Sequence, residues 1–299
     1  MEREKNLLNN ESAKLTCIVP VTDVYYRIRF VEEWISLLPS EIEIVIVHDT
    51  ENENEKRFLK NRIPSSDRIQ LICSNFGSPG ASRNAGLKMV KTEFTMFWDS
   101  DDIPVIRNII RAIDEFDSAT EMIIGGFSTF NENSNEEKKI YECSSKFRFV
   151  AKLGLWRIIF RTEIIKNFEF TNFKMGEDQL FVAEILSLKP KIRKYKEIIY
   201  KYNISDHHQL TSSFYNKNDL LQIIELMIQI NNKSMIIDLL CVKQIISLNR
   251  ITGKRTKNKL KFKESINKYY LKKILVILIV GYGKIIESLN MRNENDKIH

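Results

Sequence analysis

Phe94-Thr95-Met96-Phe97-Trp98-Asp99-Ser100-Asp101-Asp102 is a short apolar run closed by a cluster of carboxylates. A run of this length, rich in aromatic residues, predicts a buried strand. The acids at its end repel one another, and burying them unpaired would raise their pKa values. A hard divalent cation such as Mg²⁺ or Mn²⁺ offsets that repulsion. Mg²⁺ characteristically takes one or two protein carboxylates and completes its shell with water and substrate phosphates. The stretch therefore reads as the strand end of a metal-diphosphate site. It also reads as a solvated turn that caps a helix, since Asp101 and Asp102 precede Pro104 and a helical pattern. The flanking sequence decides between the two.

Upstream, Leu15 to Val21, Ile42 to Val47 and Arg68 to Cys73 are further apolar, β-rich runs. Between them lie helical stretches: Tyr25 to Leu38, stopped by Pro39; the polar Glu51 to Lys60; and Ser78 to Lys91. Downstream, a helix is expected over Pro104 to Phe116 and a strand over Glu121 to Ile124. Repeated strand-then-helix units with continuously apolar strands predict a largely parallel sheet covered on both faces. Ligands of such sheets bind at the carboxyl ends of the strands. Asp23, Asp49 and Asp99 to Asp102 all fall just past strand ends, so they gather at one edge. Asn131 to Lys139 reads as a hairpin tip, Leu153 to Phe160 as an apolar segment and Glu177 to Leu188 as a helix.

Beyond Phe214 the character changes to Leu- and Ile-rich helices, Leu220 to Ile230 and Met235 to Leu248, and a boundary is expected near residue 216. Residues 1–215 then form the ligand-binding domain and 216–299 a helical C-terminal region. Much of the net charge of +7 lies in Lys254, Arg255, Lys257, Lys259, Lys261, Lys263, Lys268, Lys272 and Lys273. A basic run followed by the short apolar Ile274 to Val280 reads in two ways. It is a segment attracted to an anionic membrane surface, or a helix packed as core or as a dimer seam in a homo-oligomer. Cys17, Cys73, Cys143 and Cys241 form no paired motif and read as reduced thiols. The opening Met1-Glu2-Arg3-Glu4-Lys5 has no apolar signal region, so a cytoplasmic location, peripheral on the inner membrane face, is expected.

Taken in order, these features resemble the family 2 glycosyltransferases of the GT-A fold, the bacterial surface-polysaccharide type, over roughly residues 14 to 215. The resemblance rests on the opening strand into Pro20 and Asp23 and on the second strand into Asp49. It continues through the loop Gly77-Ser78-Pro79-Gly80-Ala81-Ser82-Arg83-Asn84-Ala85-Gly86, the acid cluster, and Gly176-Glu177-Asp178. It implies an α/β sheet flanked by helices and an inverting transfer from a nucleotide-sugar donor, UDP-sugar by default, to a glycan or lipid-linked acceptor hydroxyl. It implies that Pro20, Asp23 and Asp49 line the nucleotide pocket, with Arg83 and Asn84 near the donor and Asp99 near the ribose or donor sugar. Asp101 would coordinate Mn²⁺ or Mg²⁺, with His208 as a late metal or diphosphate contact, and Asp178 would be the catalytic base beside Glu177 on the acceptor side. His207 and His208 read equally as an exposed polar loop, and Trp156 as core or as an acceptor platform. The second strand departs from the family pattern, ending in His48-Asp49-Thr50-Glu51 in place of paired acids and Gly-Ser, which leaves the nucleotide open.

Two other functions are weighed. A sugar-nucleotide nucleotidyltransferase needs a Gly-rich basic loop after the first strand, and Pro20-Val21-Thr22-Asp23 has no glycine. A non-catalytic basic binding module for nucleic acid needs basic and aromatic residues on the sheet face. An acidic sheet edge repels a phosphate backbone, so no nucleic-acid partner is expected.

Overall fold

β1 (Leu15–Val21), β2 (Ile42–Asp49), β3 (Ile69–Ser74) and β4 (Phe94–Phe97) lie side by side and parallel in the order β3-β2-β1-β4. This is the arrangement in the computed structural model, which describes residues 13–134, 136–141, 152–205, 217–230 and 234–252. Ile18 is the register point of the centre, opposite Val45 on one side and Phe97 on the other. β1, β2 and β4 are almost wholly buried, as near-continuous apolar strands covered on both faces must be. Helices α1 (Val24–Ser36), α2 (Glu53–Arg62) and α3 (Pro79–Leu87) make the crossovers. α2 is polar and buries only Leu59, and it owes its start to Asn52, whose side chain accepts from the Asn54 N–H.

The second half of the sheet is mixed. β6 (Met122–Asn131), β7 (Glu136–Tyr141), β8 (Ile158–Arg161) and β9 (Ile192–Asn203) extend the order to β3-β2-β1-β4-β8-β6-β9-β5, with β7 paired to β6. β8 runs antiparallel to both β4 and β6, whereas β6 and β9 are parallel. The expected helix start at Pro104 is corrected: Ile103–Pro104 is a two-residue strand, β5, antiparallel to β9 at the sheet edge. Proline has no N–H to give a ladder and is tolerated at an edge. The chain is then turned by the Val105 N–H on the Ile199 carbonyl, and α4 runs from Ile106 to Asp114.

Four further helices complete the described residues: α5 (Thr162–Ile165), α6 (Glu177–Ser187), α7 (Lys217–Gln229) and α8 (Met235–Thr252). The chain divides into compact units Met1–Ile251 and Thr252–His299. The boundary expected near residue 216 thus falls inside the first unit, which includes α7 and nearly all of α8. The basic run and the apolar segment after it lie outside the described residues, as do His207, His208 and Cys143. The core joins the sheet to its helices through aromatic contacts. Trp34 of α1 meets Trp98 edge-on at 5.8 Å. Phe97, Phe170 and Phe181 cluster beneath the acid-bearing edge, Phe170 and Phe181 stacked at 3.9 Å. Such pairs add roughly 0.5–1.5 kcal/mol beyond their area burial.

Candidate active site

The β4 chain end is fixed before the acids begin. The Trp98 N–H bonds the Ile18 carbonyl, and the Asp99 N–H donates to the Tyr200 hydroxyl at 2.8 Å. Tyr200 comes from β9, so the far half of the sheet positions the acid cluster delivered by the near half. Asp102 turns inward: it is 1% exposed and its Oδ1 accepts the Asn203 N–H at 2.7 Å. Burial, with Asp101 and Asp99 close by, pushes its carboxyl well above the usual range.

α3 brings Arg83 to the acids. The helix starts at Ser78, whose hydroxyl accepts the Ala81 N–H, with Pro79 in the first turn. Gly80 is required there, because a Cβ would stand 2.4 Å from the Thr171 carbonyl. Arg83 then bridges two acids, donating Nη1 to Glu177 at 2.8 Å and Nη2 to Asp99 at 3.2 Å. Glu177 and Asp178 are the first turn of α6, where the helix dipole favours negative charge. Gly176 precedes them at φ +81°, a left-handed conformation that suits glycine. Burial first, then Asp178, raises the Glu177 carboxyl to about 7 against the pull of Arg83. Burial also raises Asp178, while Arg83 and then Lys243 of α8 lower it.

Two cavities meet at this bridge. One, of about 420 Å³, is walled by Pro20, Arg27, Asp49, Gly77, Ser100, Asp101 and Lys174. The other, of about 600 Å³, is walled by Tyr141, Lys152, Trp156, Ile204 and Lys243. Arg83, Asp99, Asp178 and Tyr202 belong to both walls.

Most of the expected residues converge here. Pro20, Asp49, Arg83, Asp99, Asp101, Glu177 and Asp178 line the first cavity and Trp156 the second. Asp49 is partly committed to structure, its Oδ1 accepting the Phe76 and Gly77 N–H groups. Two of the expected residues lie outside both walls. The Asn84 amide is paired in both directions with the Phe170 backbone, at 2.8 and 2.7 Å, and lines neither cavity. Asp23 is an exposed, left-handed residue at the start of α1 whose carbonyl holds the first turn, and it too lines neither. His208 lies outside the described residues. Trp156 is 9% exposed and lies flat against Tyr200 and Tyr202, with ring centroids 4.7 and 5.4 Å away, so it is core and wall at once.

Arg27 was not foreseen. Its Nη1 lies 3.1 Å from Asp101 Oδ1 and 3.2 Å from Ser100 Oγ. The signal was available: Val24, Arg27, Ile28 and Val31 are the buried face of α1, at i, i+3, i+4, i+7 spacing. An arginine on a core face calls for an acidic partner. The carboxylates of Asp99 and Asp101 thus each already accept from an arginine, and among the described residues no group of three or more His, Cys, Asp or Glu is arranged to hold an ion. The residues fit an ion that arrives with a diphosphate and is held by Asp101, since such an ion needs few protein ligands. They do not form a resident metal cage.

Residues 24–181, more than half of the chain, match the family described as "Glycosyl transferase family 2", and the chain belongs to that family. Among curated proteins it is similar to the glycosyltransferase GlyA of Streptococcus pneumoniae serotype 4. The two are 24% identical over 214 residues, which is 64% of this chain and 30% of the relative. It is also 28% identical over 163 residues to the poly(ribitol-phosphate) beta-N-acetylglucosaminyltransferase TarP of Staphylococcus aureus, covering 49% of this chain and 48% of the relative. The chain therefore spans less than half the length of either. In fold it is similar to residues 1–349 of S. aureus TarS in complex with UDP-GlcNAc. That match has a TM-score of 0.60 at 20% identity, over 83% of this chain and 77% of the other.

Proposed function

We propose that the chain is an inverting glycosyltransferase that moves a sugar, N-acetylglucosamine by analogy with its relatives, from a UDP-sugar to a hydroxyl of an anionic cell-surface glycan. The observation that carries this reading is the pair of cavities sharing Asp99 and Asp178. The donor occupies the first cavity, with Pro20 and Asp49 toward the nucleotide and Asp99 and Arg83 toward the sugar. The acceptor occupies the second, against Trp156, with its hydroxyl beside Asp178 and Glu177. The acceptor oxygen forms its bond to the anomeric carbon as the bond to the diphosphate oxygen breaks. The electron pair leaves on UDP and the proton passes to the Asp178 carboxylate. A single displacement inverts the centre. When bound, a divalent ion offsets the diphosphate charge, and Asp101 would hold it.

The anionic character of the acceptor is supported by Lys152 and Lys243 in the wall of the second cavity. Lys243 is half-buried, and burial pulls its pKa down while the Asp178 carboxylate opposes this and Lys152 adds to it. TarP and TarS, whose names specify poly(ribitol-phosphate), supply a chemistry that two such ammonium groups would suit. No helix among the described residues is long and apolar enough to cross a membrane. The basic run from Lys254 to Lys273 supports attachment at an anionic membrane surface, where such acceptors are built.

Incubation with UDP-GlcNAc, Mn²⁺ and a short polyol-phosphate oligomer tests the reading. UDP release and an inverted glycosidic linkage by NMR are expected. No UDP binding with or without Mn²⁺, together with no donor turnover, overturns it.

A further inference from the structure

We infer that Arg27 is a diphosphate-binding residue, a resident cation that gives nucleotide affinity without a divalent ion and keeps Asp101 from binding one in the donor-free protein. The inference rests on the glycosyltransferase reading and adds to it a residue and a charge balance.

The geometry is specific. The Arg27 guanidinium is 9% exposed and Asp101 21% exposed, and both line the first cavity. Arg27 donates to Ser100 Oγ and sits 3.1 Å from Asp101 Oδ1, so the guanidinium is held at the acid cluster by the buried Ser100 and the partly exposed Asp101. An arginine keeps its charge at any working pH, and its planar fork matches carboxylate and phosphate equally well. A guanidinium held by a carboxylate at a cavity wall therefore keeps its charge beside an arriving diphosphate and can exchange the carboxylate for a phosphate oxygen.

The same position sets it against a metal. A divalent ion on Asp101 would share that carboxylate with Arg27 and be repelled at short range in a partly desolvated site. Without nucleotide, the ion has little to offer in return. With nucleotide, the diphosphate brings enough negative charge for both cations. Among the described residues the other acids of this cavity are Asp99 from the β4 end, already bridged to Arg83, Asp49 from the β2 end, whose Oδ1 holds the Phe76–Gly77 turn, and Glu177 and Asp178 from α6. Lys174 adds a cation to the lining of the same cavity.

Calorimetric titration of the full chain tests both halves. For the wild type, UDP should bind in EDTA with an affinity within about tenfold of that in Mn²⁺, as a charge-assisted guanidinium contact supports. Arg27→Gln should lose tenfold or more in EDTA and less in Mn²⁺, with Arg27→Lys in between. In the absence of nucleotide, Mn²⁺ alone should bind Arg27→Gln about tenfold more tightly than wild type, because Asp101 is released. Thermal melts report whether the variant folds. If it does not, the wild-type comparison and Arg27→Lys still decide. Strong UDP binding in Mn²⁺ with none in EDTA overturns this inference and leaves the glycosyltransferase reading standing. Unchanged Mn²⁺ affinity in Arg27→Gln also overturns it. No UDP binding under any condition removes both.

Discussion

The Arg83 guanidinium lies 2.8 Å from the Glu177 carboxylate, and both side chains are at most 10% exposed. This pair ties α3 to the first turn of α6 and so holds Asp178 near Asp99. Breaking a buried pair from one side strands the other charge, at a cost of about 3–5 kcal/mol. Arg83→Met is expected to destabilise the fold by that amount at pH 8, read as a shift in the urea midpoint. The loss should shrink at pH 6, where Glu177 can take a proton. A loss independent of pH would mean that the pair does not control the stability of this corner.

Glu177 also predicts how stability varies with pH. Its carboxyl is raised from 4.5 to about 7 in the fold, burial being the main cause. A raised folded pKa means that the folded state holds the proton more tightly. The associated stability is complete below the unfolded pKa and is lost as pH rises through about 7. Relative to Glu177→Gln, the wild type should therefore lose on the order of 3 kcal/mol between pH 4.5 and 8. Unfolding free energies of the two proteins across that range check it, and parallel curves would refute it.

Asp178→Asn should lose transfer by about 10²- to 10⁴-fold and keep UDP affinity, because the base proposed here acts on the acceptor. In the wild type, transfer should need Asp178 ionised. With its pKa raised by burial, activity should fall on the acid side above the ordinary carboxylate range. Lys243 is among the charges that lower Asp178, so Lys243→Met should move this limb to still higher pH. Rate profiles from pH 4.5 to 8 read both effects, and an unmoved limb would separate Lys243 from the base.

The half-sheet that carries the acids was legible because β1, β2 and β4 are buried on both faces and so apolar throughout. β9 was not, since Ile192-Arg193-Lys194-Tyr195-Lys196-Glu197 is mostly exposed and its charges hide the pattern until Ile199 and Tyr200. The convergence of Asp49, Asp99 and Asp101 followed from strand ends, whereas Asp178 was reached only through the resemblance to the family. The assignment of Asn84 could not, because its partner is the Phe170 backbone 86 positions away and nothing local distinguishes a structural amide from a ligand-binding one. Asp23 differs from its neighbours Pro20 and Thr22, which line the cavity: it is exposed, takes the left-handed conformation at the start of α1 and is not part of the wall.

Trp156 gives the last prediction, because its two readings make different demands. Its ring is stacked on Tyr200 and Tyr202 and is also a wall of the second cavity, so deleting it would confuse packing with binding. Gly154 offers a gentler lever. A Cβ there would stand 2.4 Å from Trp156 Cε2 and 2.5 Å from Cζ2, so Gly154→Ala must tilt the indole off its tyrosines. Overpacking of this kind costs about 1–3 kcal/mol, which should appear as a lower melting temperature. If Trp156 is an acceptor platform, the same variant raises the acceptor KM while leaving UDP affinity alone, since the other cavity is the proposed nucleotide site. A lowered melting temperature with an unchanged acceptor KM would assign Trp156 to the core and leave the acceptor to Lys152, Lys243 and Tyr141.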